Sequence, residues 1–341
     1  MISRRTVLAG LAAAAGGGPL RAQQPAVELA DVHIGVGGRA SLYYLPLTVA
    51  ERLGYFREEG LTPRFSDFTG GSRTMQALVG GSIDVASGAF EHVVSIQPKG
   101  LRIQAFVAQG RYPNFAFAIS RKLAATYRSP ADLKGARIGV TAPGAGSQTF
   151  AEIILARGGL GPKDVSFIGV GSGASAIAAL LHDRIDAISN IDPAVTQAER
   201  TAGAKIIYDV RTTEGTRDLF GGPVPSGCLY TEEAFVQSRP GTVQALTNAM
   251  VRSLVWLRTA QPADLLAVVP PAYLAGDPDL YLAAFEKGRE GISKDGRIGI
   301  EGARNTLKTL LRAERSLSES QFQLETTFTD RFVEKALARF G

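Results

Sequence analysis

Two glycine-rich loops carry the clearest chemical signal in the chain: Thr69-Gly70-Gly71-Ser72 and Pro143-Gly144-Ala145-Gly146-Ser147. Each precedes a helical run, so its backbone N–H groups and a helix start would face a common point. Unpaired N–H groups and the helix dipole attract anions. Glycine lets a backbone approach closely, and Ser72 can cap the helix behind it. The expected chemistry is capture of a carboxylate, sulfonate, nitrate or similar group by Gly71, Ser72, Gly144, Ala145, Gly146 and Ser147, unless the glycines only turn a strand into a helix. Arg39, Ser41 and Tyr43 follow one predicted strand, Ser87, Glu91 and His92 follow another, and Asn190 and Asp192 follow its counterpart. Ligands in open α/β sheets bind beyond the carboxyl ends of strands, so these residues join the candidate ligand-binding set. Glu91 also reads as a first-turn acid serving a helix dipole, and His92 as a surface or satisfied histidine. Arg39 and Arg111 are the nearest groups for a charge-assisted clamp, unless they point to solvent.

Catalytic groups do not assemble from this sequence. His33, His92 and His182 are scattered without metal-ligand spacing. No serine sits in a Gly-x-Ser-x-Gly elbow. Cys228 is the single cysteine, so it forms no internal disulfide, and it lies in a predicted strand without a nucleophile's context. Gly144-Ala-Gly146-Ser-Gln-Thr149 lacks the third glycine of a dinucleotide fingerprint, Gly169-Val-Gly171-Ser-Gly173 has the wrong spacing, and no Gly-Lys-Ser/Thr follows either. The expectation is a binding protein with no catalytic residue, no metal and no cofactor.

The elements that must position these loops come in two copies. Asp31-Val-His-Ile-Gly-Val36 is echoed by Gly135-Ala-Arg-Ile-Gly-Val140, and Met75-Gln-Ala-Leu-Val-Gly-Gly-Ser-Ile-Asp-Val-Ala86 by Ile177-Ala-Ala-Leu-Leu-His-Asp-Arg-Ile-Asp-Ala-Ile188. Strands are expected at 32–36, 62–65 and 83–86, alternating with helices at 47–59, 72–79 and 91–97, then strands at 101–107 and 115–120. The second copy runs through strands 137–141, 165–170, 185–189 and 205–208, with helices at 148–157, 175–182 and 193–202. Such alternation argues for doubly wound α/β lobes with parallel sheets. Asp84 and Asp186 recur within strands and read as structural. From residue 231 onward the pattern is mainly helical. Residues 224–230 are expected to run back into the first lobe, which would then comprise 28–118 plus 228–341, with 119–227 as lobe 2. Crossovers near Ile119 and Ser226–Cys228 would form a two-strand hinge, about which the lobes close on a small ligand.

Residues 1–22 read as an export signal, with Arg4-Arg5 after Ser3 and an apolar Ala/Gly run ending at Ala22. The apolar run is shorter than the ~18 residues a spanning helix needs. The arginine pair suggests the twin-arginine type. Cys228 is too far from this segment to carry a lipid anchor, so an exported, soluble periplasmic protein is expected. The chain is 45% hydrophobic and 20% charged, as a globular protein should be. Its net charge of +5 includes three arginines of the signal. The balanced remainder argues against nucleic acid as a partner.

Tyr43-Tyr-Leu-Pro-Leu-Thr-Val-Ala-Glu-Arg-Leu-Gly-Tyr-Phe-Arg-Glu-Glu-Gly-Leu61 resembles the opening of periplasmic substrate-binding proteins for nitrate, sulfonate, taurine and bicarbonate import, a group that includes relatives of the thiamine-pyrimidine proteins. Gly70–Ala89, Gly135–Val140, Pro143–Ser147 and Val170-Gly-Ser-Gly173 continue the resemblance over residues 30–230. It implies a type II periplasmic binding protein fold, with two doubly wound α/β lobes around a ligand cleft. It further implies a monomer that delivers a small solute to the inner-membrane permease of an ABC transporter. By motif position it points to Ser41, Tyr43, Ser72, Ser87, Glu91, Ser147 and Asn190 as pocket residues. A Glu91 facing the cleft would suit a cargo that carries an amine, hydroxyl or ring nitrogen as well as an anion. Two other readings share this scaffold: an enzyme resembling chorismate dehydratases or thiamine-pyrimidine synthases, and a binding component of a sensor.

Overall fold

Short β-branched and small-residue runs form ten strands, observed in a computed structural model that describes residues 26–313 and 316–341. The expected export segment, 1–22, lies outside the described residues. The strands are β1 (His33–Val36), β2 (Arg64–Asp67), β3 (Val85–Ala89), β4 (Ile103–Ala108), β5 (Phe115–Ile119), β6 (Arg137–Val140), β7 (Ser166–Gly169), β8 (Ala187–Ile191), β9 (Lys205–Asp209) and β10 (Gly227–Glu232). They assemble into two five-stranded sheets, ordered β2-β1-β3-β10-β4 and β7-β6-β8-β5-β9. In each sheet the first three strands are parallel and the fourth is antiparallel to its neighbours. The fourth strand is the one reached by crossing between lobes, β10 in one and β5 in the other.

That exchange corrects the expected boundary. Phe115–Ile119 pairs with β8 and β9, so it belongs to the second lobe, and the chain crosses at 109–114 rather than near Ile119. A fully buried apolar strand carries no mark of which sheet it joins. The second crossing, 210–226, includes a helix, Thr213–Phe220, and so is not a simple strand. The two crossings touch where Gln109 N–H donates to Gly227 O at 2.6 Å and Ser226 N–H donates to Gly110 O at 3.0 Å. β10 does run back into the first lobe, as expected.

Labelling the helices that matter in chain order gives α1 (Leu45–Arg52), α2 (Gly71–Val79), α3 (Phe90–Ser95), α4 (Gly146–Arg157), α5 (Ala174–Leu181), α6 (Ala194–Ala202), α7 (Thr213–Phe220), α8 (Pro240–Thr259), α9 (Pro278–Gly288), α10 (Ile300–Ala313) and α11 (Arg331–Phe340). The expected helix 47–59 is broken after α1, because Gly54 adopts φ +77°, a left-handed conformation that ends a helix. Alternate strand residues feed apolar clusters on opposite faces. Val85 and Leu229 pack to one side of the first sheet, Ala86 and Tyr230 to the other. Burial on both faces is why the strands read as apolar runs rather than as alternation. Helices α8 and α11 close the first lobe, with Val243, Leu246, Phe332 and Val333 in its core.

The two repeated aspartates are structural. Asp84 Oδ2 accepts the backbone N–H of His33 at 2.8 Å, and Asp186 Oδ2 accepts that of Arg137 at 2.9 Å. Each caps the first residue of the leading strand in its lobe. Gly35 and Gly139 correspond too. A Cβ on either would stand 2.5 Å from the Cδ1 of Ile83 or Ile185, so glycine leaves room for the crossing isoleucine, which would otherwise have to shift.

Candidate functional site

The carboxyl ends of both sheets face one another, and the lobes are closed along that line. Leu42 N–H donates to Asp192 O at 2.9 Å, Ser72 Oγ to Pro143 O at 2.9 Å, and Ser41 Oγ to Ser172 Oγ at 3.1 Å. Between them a cavity of about 20 Å³ remains, room for roughly one water. Gly37, Gly71, Ala89 and His92 line it from the first lobe, and Thr141, Gly146, Ser147 and Ile191 from the second. Tyr43 and Phe115 form an aromatic wall, their rings stacked with centroids 5.9 Å apart, and Phe150 stacks behind Phe115 at 5.7 Å. Such stacks favour flat ligands as well as each other.

Helices α2 and α4 both begin at this cavity, so two positive helix ends converge on it, as the glycine loops suggested. Serine caps neither helix. Ser72 reaches across to the other lobe, and Ser147 Oγ accepts the Thr141 N–H at 3.0 Å instead. Glu91 and His92 both turn inward. A Cβ on Gly146 would lie 2.8 Å from Glu91 Oε1, and one on Gly71 would lie 2.7 Å from His92 Cε1. Glu91 Oε1 and His92 Nε2 are 4.0 Å apart. Neither Glu91 Oε1 nor either His92 ring nitrogen completes a hydrogen bond within the protein.

Burial sets the protonation of both groups. It pushes the Glu91 carboxyl up to about 7, against a lowering by the Thr149 hydroxyl and with a further rise from Glu152. It draws the His92 imidazole down to about 4, slightly opposed by the Gly144 backbone. Desolvation disfavours whichever form is charged, so near neutral pH the site holds an uncharged imidazole and a carboxyl close to half protonated. The Tyr43 phenol is also pushed up by burial and stays protonated.

The other candidates stand elsewhere. Arg39 pairs with Glu51 and lies 4.1 Å over the Phe65 ring. Arg111 donates Nε to the backbone carbonyl of Glu290 at 2.7 Å. Neither lines the cavity, so the expected cationic clamp is absent among the described residues. Ser87 is fully buried and accepts a hydrogen bond from Gln109 Nε2 at 2.8 Å. Asn190 Nδ2 donates to Gly171 O at 2.8 Å, which ties down the loop after β7. Asp192 pairs with Arg211 at 2.8 Å, and Arg211 also holds Asp209. All three are buried posts behind the cavity. Gly144 and Ala145 shape the loop into α4.

Tyr44, Phe115, Thr141, Ala89 and Ile191 escaped the sequence reading. The signal for three of them was present: Thr141 follows the leading strand of its repeat, as Gly37 does in the other, and Ala89 and Ile191 end the third strands. Phe115 gave no such signal, because its sheet could not be read from its residues.

A family model described as NMT1/THI5 like matches residues 41–264. The chain belongs to the NMT1/THI5-like family. A solved structure of a protein from Bordetella bronchiseptica RB50 is 46% identical over 93% of this chain and 99% of that one, with a TM-score of 0.90. The alkanesulfonate-binding protein SsuA of Xanthomonas axonopodis pv. citri, solved bound to MOPS, is 18% identical over 89% of this chain and all of that one, at a TM-score of 0.65. YtlA of Bacillus subtilis (strain 168), whose name assigns it a binding role, is 22% identical over 72% of each chain. The NMT1/THI5-like chain thus has the two lobes that its repeats implied and the periplasmic binding protein fold that the resemblance implied. No helix among the described residues is long and apolar enough to cross a membrane.

Proposed function

We propose that this protein is an extracytoplasmic solute-binding protein that captures a small organic acid and delivers it to an ABC importer. The observation that carries this reading is the cleft itself. Two helix N-termini, an aromatic wall and His92 converge on a cavity between two lobes, Glu91 stands beside it against Gly146, and no arginine or lysine lines it. Helix ends favour an anionic or acceptor group. An ionised Glu91 repels that same group unless the ligand offers it a hydrogen-bond donor or Glu91 takes a proton. The solute we infer therefore has a flat body for Tyr43 and Phe115, one anionic end, and a hydroxyl, amine or ring nitrogen for Glu91. MOPS, the molecule bound to the Xanthomonas relative, combines a sulfonate with an amine. Bare nitrate or a simple alkanesulfonate meets only half of this site.

We read the protein as non-catalytic. Cys228 is buried and its thiol is pushed well up by desolvation, the opposite of an activated nucleophile. A thermal-shift screen tests the assignment, using acids with and without a second donor group, nitrate, and pyrimidines. Ligand at 100 times its Kd should stabilise by about 2.7 kcal/mol. Uptake of the hit compound, lost on deletion of this protein, supports transport; intact uptake with a lost transcriptional response supports sensing. A well-folded protein that no compound stabilises contradicts the reading.

A further inference from the structure

A large concave feature outside the cleft lies on the hinge. A cavity of about 600 Å³ is walled by Arg111, Arg258, Arg289 and Lys294, with Glu286 and Glu290 at its edge and Leu257 and Ile292 as an apolar floor. That volume falls in the range of small-molecule sites, ~300–1,000 Å³. Its acids are already committed. Glu286 pairs with Arg289 at 3.1 Å, and the Glu290 carboxylate accepts Thr213 N–H at 2.9 Å and Thr213 Oγ–H at 3.0 Å, which holds it below the usual carboxylate range. Arg258 and Lys294 form no close ion pair among the described residues, Arg111 is fixed by its stack over Tyr112 at 4.6 Å, and Arg111 and Lys294 both help to hold the Glu290 carboxyl down.

The wall is built from the hinge. Arg111 N–H donates to Gly291 O at 2.8 Å and Ser293 N–H to Gln109 O at 2.9 Å, both on the first crossing. Glu290 holds Thr213 on the second. Ile292 also lines a smaller void that reaches Asp192, Arg211 and the back of Tyr43. Ile292 therefore separates the hinge cavity from this void, and Tyr43 separates the void from the cleft.

We propose that the hinge cavity is a second ligand site, for a small polyanion bearing two or more carboxylate or phosphate groups. Guanidinium forks match both groups bidentately, a wall of four cations against two acids suits more than one negative charge, and the apolar floor backs the ligand's body. An occupant there meets Arg111 of the first crossing and Glu290, which holds Thr213 of the second, and so biases lobe closure. The site is independent of what the cleft binds.

Isothermal titration of the full chain with citrate and, separately, pyrophosphate tests this at low ionic strength. The expected result is saturable one-to-one binding of at least one probe, weakened tenfold or more in an Arg258→Glu, Lys294→Glu double variant. The same charge change at distant exposed sites, Lys163→Glu with Lys335→Glu, should leave affinity within twofold. Should the hinge double variant misfold, single Arg258→Ala and Lys294→Ala changes give the same reading. Tighter citrate assigns the site to polycarboxylates; tighter pyrophosphate assigns it to phosphates. The proposal is overturned if neither probe binds, if the hinge variants bind as the parent does, or if the distant reversal costs as much.

Discussion

The two lobes share a frame and differ at its rim. After the leading strand, lobe 2 presents the N-terminus of α4 with Gly146 and Ser147, whereas lobe 1 presents Tyr43 and Tyr44. After the second strand the roles reverse. Lobe 1 turns Gly70–Gly71 into the cavity, whereas the matching Gly173 of lobe 2 has open space around it. After the third strand lobe 1 supplies Glu91 and His92, with Glu91 Oε1 and both His92 ring nitrogens unpartnered within the protein, while lobe 2 supplies Asp192, neutralised by Arg211. A duplicated fold can thus keep its strand order and strand caps in both copies and specialise only at strand ends, where side chains meet ligand rather than core.

Breaking the neutralised side should have the largest effect. Arg211 is 2% exposed and serves two aspartates. Arg211→Met strands Asp192 as a buried, uncompensated charge, a loss of about 3–5 kcal/mol measurable by urea unfolding.

The unneutralised side should show itself through pH. The folded carboxyl of Glu91 titrates near 7, above its unfolded value, so the folded state binds more protons in that window and stability falls as pH rises from about 4.5 to 7. His92 acts oppositely. Its depressed value, about 4, makes stability rise with pH up to about 6.5, so the two slopes partly cancel in the parent protein. Glu91→Gln removes one slope, and its stability relative to the parent should rise by about 2–3 kcal/mol from pH 5 to pH 8. A pH-independent difference would place Glu91 in water rather than in the cleft.

The shared frame predicts matched losses. Asp84→Ala and Asp186→Ala should each cost about 1–3 kcal/mol by leaving a strand N–H unpaired. Asp186→Ala should cost slightly more, since Arg137 also donates Nε and Nη2 to that carboxylate at 2.9 and 2.7 Å. The smallest effects separate the rims. Gly146→Val should weaken solute binding at least tenfold, roughly 1.4 kcal/mol, with little loss of stability, whereas Gly173→Ala should change neither by more than about 0.5 kcal/mol. Equal effects at the two glycines, read by calorimetric titration, would remove the asymmetry.

What could be read in advance followed the same division. Asp84, Asp186, the glycine loops and the lobe repeat were legible because local sequence repeats where local geometry repeats. The crossing point was not, because Phe115–Ile119 is apolar on both faces and pairs with strands far along the chain. The Arg39 clamp failed for a related reason. A charged side chain takes the nearest carboxylate in space, here Glu51, and spacing does not reveal which one that is. Glu91 was legible as an acid near a strand end, but only the packing of α3 against α4 turns it into the cleft.

The central claim is that Glu91 inside the cleft decides which solutes enter. Its most direct test is the affinity of paired acids, alike except for a second hydroxyl, amine or ring nitrogen, for the parent protein and Glu91→Gln at pH 8. The account predicts that the parent prefers the donor-bearing member at least tenfold and that the preference shrinks in the variant as the bare acid gains. Equal binding of both members, unchanged by the substitution, would contradict it.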